Sequence, residues 1–328
     1  MKTMKKAFSL IEVIFVLTIL GIVASISSQI IVQVYENYIT QKALYKTTTK
    51  TEIAITQIVN RLAFAVDGTT ITRKPLSGPY NIGTKDANWI KLNDIDITNL
   101  AHQKFTTIEW IGYDNDSFSA ADTPYWSGVA NYNSTAGIVP TRGSFQSPGS
   151  RLNLANDIIK NLSNHKVSLD GSVGTLPAII FTGKEYLKSA IAPVASEILY
   201  NPACMGLVNE NNTSCISRVS MTNNTTFSFP DNKQKTIYER YRLAWSAYAL
   251  IPTASKTNKD LFDLNLYYNY QPWNNEKYTD GEHRLLINNV SVFKFTENGG
   301  TIQLKLCATE NIGQDVNISS CKEKAIIR

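Results

Sequence analysis

Lys5-Lys6-Ala7-Phe8-Ser9-Leu10-Ile11-Glu12-Val13-Ile14-Phe15-Val16-Leu17-Thr18-Ile19-Leu20 decides how this chain is organised. Two lysines and a small residue precede an apolar run that a single carboxylate, Glu12, interrupts. The run extends from Phe8 to about Val34, longer than the ~20 residues that cross a bilayer as a helix. An ordinary secretory leader is cut after its apolar stretch, whereas here the small residue, Ala7, stands before it, so the mature protein is expected to keep the segment. Lys2, Lys5 and Lys6 hold their side in the cytoplasm, which sends everything after residue 34 outward.

Glu12 requires compensation. A carboxylate at the centre of a bilayer costs on the order of 2.5 to 3.5 kcal/mol, less near an interface. Cleavage after Ala7 would give Phe8 a free amine one helical turn from Glu12, at a helix N-terminus whose partial positive charge also favours an anion. The amine of a neighbouring chain is the natural partner. The alternative is a carboxylate that merely snorkels to the headgroups.

Lys5 to Val13, followed by Leu17, Ile19, Leu20, Gly21 and Ile22, resembles the N-terminal signature of type IV pilins and type II secretion pseudopilins. That resemblance implies cleavage by a prepilin peptidase between Ala7 and Phe8, N-methylation of Phe8, and a role for Glu12 in subunit docking. It also implies other pilin-like subunits as partners in a hetero-oligomeric filament. Ala7 stands where the family mostly has glycine. Gln29 lies near where many type IV pilins carry a kinking proline, so an unbroken helix is expected. The signature covers about the first 30 residues and names the superfamily, not the member.

The chain has 328 residues, 43% of them hydrophobic, enough for one good-sized head. Of its 32 basic side chains, Lys2, Lys5 and Lys6 leave with the first seven residues; the remaining 29 against 27 acidic ones give +2. That balance gives no indication of nucleic acid as a ligand. Cys204, Cys215, Cys307 and Cys321 form an even set in a head that faces an oxidising space, which favours disulfides. Three pairings are open, and nearness in sequence favours Cys204 with Cys215 and Cys307 with Cys321. No Cys-x-x-Cys occurs and His102, His165 and His283 are scattered, so no metal site is expected.

From Tyr35 to Val66 there is neither proline nor glycine, and Ile55, Ile58, Leu62 and Ala65 recur at helical spacing. A helix from Phe8 to Val66 would be roughly 88 Å long, with its outer half packed on the head and a soft spot at Thr47-Thr48-Thr49. Gly21, Ala24, Ser25, Ser27 and Ser28 offer small surfaces for close helix contacts in lipid. Asp67-Gly68 ends it. From about 67 to 235, short strands embedded in loops are expected, among them Lys104 to Tyr113 and Ala178 to Phe181, with a small helix over 153–163. Farther on, alternation over Tyr241–Ile251, Phe262–Tyr270, Val290–Thr296 and Thr301–Cys307 predicts an antiparallel meander, closed by a last strand at Lys324–Arg328.

The expected fold class is thus α+β. Residues 1–7 form the leader, 8–34 a transmembrane and filament-core helix, 35–66 an amphipathic helix, and 67–328 a β-rich extracytoplasmic head. The stretch from Leu285 to the turn Glu297-Asn298-Gly299-Gly300 is similar to the C-terminal sheet of larger minor pseudopilins of the J type and of W-type pilus proteins.

No Gly-x-Ser-x-Gly, His-Glu-x-x-His or phosphate-cradling glycine loop occurs, so neither an enzyme nor a cofactor is expected. Asp114, Asn115, Asp116 and Asp122 make an oxygen-rich loop that reads as a solvated turn sooner than a calcium site. Asn212 and Asn317 lie in the acidic sequons Glu-Asn-Asn-Thr-Ser and Asp-Val-Asn-Ile-Ser, which could accept a glycan. The reading is a minor pseudopilin, anchored in the inner membrane, of a type II secretion or DNA-uptake system. A head of about 262 residues would be roughly 45 Å wide, while packed helices lie 8 to 10 Å apart. Crowding on that scale predicts a tip or low-copy position. A minor type IV pilin acting as a tip adhesin is the alternative.

Overall fold

The computed structural model describes residues 9–77, 81–82, 89–96, 98–131, 141–182, 202–208, 213, 215–230, 235–256, 258–313 and 316–327. One helix, α1 (Leu10–Leu62), takes 53 of them. It contains no proline and only one glycine, Gly21, so nothing breaks its hydrogen-bond ladder. Glu12 in the first turn and Arg61 in the last complement its dipole.

The two halves of α1 differ in environment. Residues 9–38 are exposed along their whole length, a rod free of the head. From Ala43 onward a single stripe, Ala43, Thr47, Thr51, Ala54, Ile55, Ile58 and Leu62, is buried. The helix runs unbroken through the three threonines. Thr47 and Thr51 lie in the buried stripe, Thr51 Oγ1 donates to the Thr47 carbonyl at 2.7 Å, and Thr48 Oγ1 donates to Ser320 Oγ at 3.2 Å. The helix ends at Leu62 and not at Val66. Its continuation is captured by the sheet: Tyr113 N–H donates to the Phe64 carbonyl at 2.9 Å and Val66 N–H to the Ile111 carbonyl at 2.8 Å.

The head is built on one antiparallel sheet of eight strands, β1 (Ile71–Arg73), β2 (Trp89–Lys91), β3 (Thr107–Gly112), β4 (Ser246–Ala254), β5 (Phe262–Tyr270), β6 (Glu282–Asn298), β7 (Thr301–Asn311) and β8 (Asn317–Ile327). Their order is β8-β7-β6-β5-β4-β3-β1-β2, so the C-terminal meander forms five of the eight strands, with β8 outermost. The fold is α+β. On β7, Ile302, Leu304, Leu306 and Ala308 alternate inward against Ile55, Ile58 and Leu62 of α1. Burying such a stripe contributes roughly 1.5 to 3 kcal/mol for each large aliphatic side chain.

Four strand expectations need correction. The run Tyr241–Ile251 is two strands divided at Trp245, because Arg240–Ala244 pairs with Ala178–Thr182 in a separate small sheet while β4 enters the main one. Alternation runs through the break because Tyr241, Leu243 and Trp245 enter one core while Ala247, Ala249 and Ile251 enter another. β3 begins at Thr107, since His102–Lys104 make a 3-10 turn. β6 and β8 begin earlier than read, at Glu282 and Asn317. The small helix runs over Leu152–Leu162 and packs with Trp126, Phe145, Phe227 and Tyr241 into a lobe beside the sheet.

Both disulfides join cysteines near in sequence. Cys204 bonds Cys215, and Cys307 bonds Cys321, directly opposite it on the neighbouring strand, with Cα atoms 4.0 Å apart. The second bridge ties down the outermost strand. Replacing Cys307 and Cys321 together by serine is expected to lower stability by about 3 kcal/mol on chain-entropy grounds, measured by urea unfolding with Cys204–Cys215 intact.

Candidate functional site

The exposed rod carries the site. Its apolar window has a mean hydropathy of 2.5 and none of it is buried. From Leu10 to Val34 it measures ~37 Å, more than the ~30 Å of hydrocarbon in a bilayer. This is one N-terminal helix long and apolar enough to anchor the chain in a membrane by a single pass. Just beyond it, Tyr35 and Tyr38 are exposed and Lys42 Nζ lies 5.9 Å from the Tyr38 ring, an amphipathic belt of the kind that favours a lipid–water interface.

Glu12 sits in the first turn, its N–H donating to the Ser9 carbonyl at 3.0 Å. Its carboxylate has no hydrogen-bond or ionic partner among the described residues. Thr18, the other polar side chain nearby, donates to the Ile14 carbonyl at 2.7 Å and so satisfies itself within the helix. Ala7 and Phe8 lie outside the described residues.

Residues 2–28 match the prokaryotic N-terminal methylation motif. This motif is the class III leader of type IV pilins and pseudopilins, a family of structural filament subunits. Such a leader implies processing by a prepilin peptidase and assembly with other pilin subunits. No curated protein and no solved structure matches the chain.

A seam that sequence reading missed fixes the pilin-like helix to the head. Lys46 and Lys50 both donate to Glu310, at 2.6 and 3.1 Å, and Lys322 and Lys324 face Glu52 at 3.5 and 2.8 Å. Burial raises the Glu310 pKa, but hydrogen bonds from the two lysines outweigh it and hold the carboxyl below its usual range. The hydrogen bond from Lys324 does the same for Glu52. The only signal available beforehand was the spacing of Lys46, Lys50 and Glu52 beside the buried stripe.

The remaining candidates are dispersed. Among the described residues no three His, Cys, Asp or Glu side chains are gathered to hold a metal. His102, His165 and His283 stay apart: His102 Nδ1 accepts from the Asp96 N–H, and His283 stacks on Tyr267. Asp114 corrects the expectation of a solvated turn. It is buried, caps a one-turn helix at Asn115–Phe118 and is hydrogen-bonded by Ser117, while Asp116 and Asp122 are exposed. Asn317 is exposed at the start of β8; Asn212 lies outside the described residues.

Burial pushes the Asp114 carboxyl up to about 7, only partly offset by the Ser117 hydrogen bonds. The folded pKa lies above the unfolded one, so folding takes up a proton between them and stability falls as pH rises from about 4 to 7. A melting temperature that declines over pH 5 to 8, and declines less in Asp114→Asn, is the expected result of calorimetry.

Proposed function

We propose that this chain is a minor pseudopilin, a low-copy or tip subunit of a short extracytoplasmic filament in a type II secretion or DNA-uptake system. The observation that carries the reading is the methylation motif on a bare apolar rod that continues, without a break, into a helix clamped under a large head. In this reading the chain is stored in the inner membrane with its head in the periplasm. Prepilin peptidase cuts between Ala7 and Phe8 on the cytoplasmic face, and the new Phe8 amine is methylated. On assembly, the Phe8 amine of one subunit neutralises Glu12 of the next, offsetting the cost of burying a carboxylate in an apolar shaft.

The size of the head supports the minor position. The loose similarity of β6 and β7 to larger minor pseudopilins of the J type agrees with it. A tip adhesin of a type IV pilus remains the second reading, favoured by the exposed loops of the head; a retraction ATPase encoded alongside would select it. N-terminal mass spectrometry of the mature protein is the test: a chain beginning at methylated Phe8 is expected, and one that still carries residues 1–7 overturns the proposal. Quantitative proteomics should find this subunit far below the major one.

A further inference from the structure

We infer that the cleft at the C-terminal end of α1 is a binding site for a neutral saccharide. This cleft of about 350 Å³ opens where the helix end, the main sheet and the Leu152–Leu162 lobe meet. Junctions of this kind, at this size, are where small-molecule sites preferentially form.

Its floor is aromatic and rigid. Gly112 carries no side chain there, and a Cβ at that position would come within 2.6 Å of the Tyr248 ring, so glycine is what lets the ring lie across the strand. Tyr248 is backed by Trp110, with centroids 5.7 Å apart and planes at 24°. Tyr268 is fixed by its hydroxyl on Glu282 at 3.1 Å, and Tyr113 by an edge contact with Phe64 at 5.3 Å. Of the five lining rings Trp245 is buried, whereas Phe64, Tyr113, Tyr248 and Tyr268 are only half-buried, which leaves ring surface to stack against a ligand.

The rim supplies unused polar groups. Among the described residues the side chains of Asn60 and Asp116 make no hydrogen bond, and Arg61 makes only a long one to the Gln57 carbonyl of its own helix, at 3.4 Å. Carboxylate, amide and guanidinium are planar groups that can each grip two adjacent hydroxyls. One anion and one cation cancel, so nothing selects a charged ligand. A pyranose offers both halves of the match: C–H faces for the rings and paired hydroxyls for the rim. A polypeptide fits less well, because β3 is already paired on both sides, with β1 and β4, and has no free edge to extend.

The test uses the mature protein in a non-glycosidic detergent, with tryptophan fluorescence as the readout because Trp245 lines the cleft. An array of neutral glycans is screened, and cellobiose, lactose and N,N′-diacetylchitobiose are titrated. At least one saturable response is expected, weakened about tenfold by Asp116→Ala and by Arg61→Ala, with melting temperature unchanged in Asp116→Ala, whose side chain is exposed, and only slightly lowered in Arg61→Ala by the lost dipole interaction. A blank array overturns the inference. So does binding that the two variants leave intact, or a response only to peptides from other filament subunits. None of these outcomes touches the N-terminal mass that tests the filament reading.

Discussion

If the chain acts as proposed, Glu12→Ala is expected to remove it from filaments and to leave the head folded. The carboxylate costs free energy wherever it is buried in apolar surroundings, so the pairing available only in the filament decides the outcome. In the membrane, replacing the carboxylate relieves a cost on the order of 2.5 to 3.5 kcal/mol, less if the group sits near the interface, so the stored subunit becomes more stable. In the filament, the substitution deletes the attraction to a neighbouring Phe8 amine. At 4 Å and an effective dielectric of 20 that attraction is about 4 kcal/mol. Losing that attraction alone shifts the distribution between stored and assembled subunit by about a hundredfold or more. Glu12 is exposed in the isolated subunit, on a rod that touches no part of the head, so its loss has no route to the fold. The measurement is the fraction of subunit in sheared filaments against that in membranes, with unchanged urea unfolding of the head as the control. Incorporation at the wild-type level would sink the charge-guided docking on which the proposed function rests.

What was legible beforehand follows a physical rule. Periodicity along one element is local, so α1, the meander and the Leu152–Leu162 helix were visible from spacing alone, and the leader from its charge pattern. Tertiary capture is not local. The helix end was misplaced because β3 takes over the backbone of Phe64 and Val66, and the division at Trp245 was invisible because both flanking strands alternate alike. Ion pairs across long sequence separations, such as Lys46 with Glu310, leave no trace in a linear pattern. Asp114 shows the same limit from the other side: a run of Asp and Asn reads as solvated, but its first member is drawn inward to cap a turn.

The strongest of the hidden interactions is the buried pair of Arg73 and Glu109, and Glu109→Ala is expected to cost about 3 to 5 kcal/mol, the usual penalty for stranding one partner of a buried ion pair. The register puts Arg73 opposite Thr107 and Glu109 opposite Ile71, so both side chains leave the same face of the sheet. There they are 3% and 4% exposed, too little for water to replace either partner. Arg73 Nε donates to Glu109 Oε2 at 2.8 Å, and Tyr270 donates to Oε1 at 2.9 Å. Arg73 Nη2 reaches on to the Leu207 carbonyl at 2.7 Å, inside the loop closed by Cys204 and Cys215. Removing the carboxylate therefore unbalances a buried guanidinium and loosens its hold on that loop. Urea unfolding should show the loss, and amide exchange should rise at residues 204–208 before the rest of the sheet. Converting both partners to similar-sized apolar residues, Arg73→Met with Glu109→Leu, should cost less than Glu109→Ala alone, since no charge is then left unpaired. A Glu109→Ala protein within ~1 kcal/mol of wild type would mean that water enters this face on substitution and that the pair does not hold the loop.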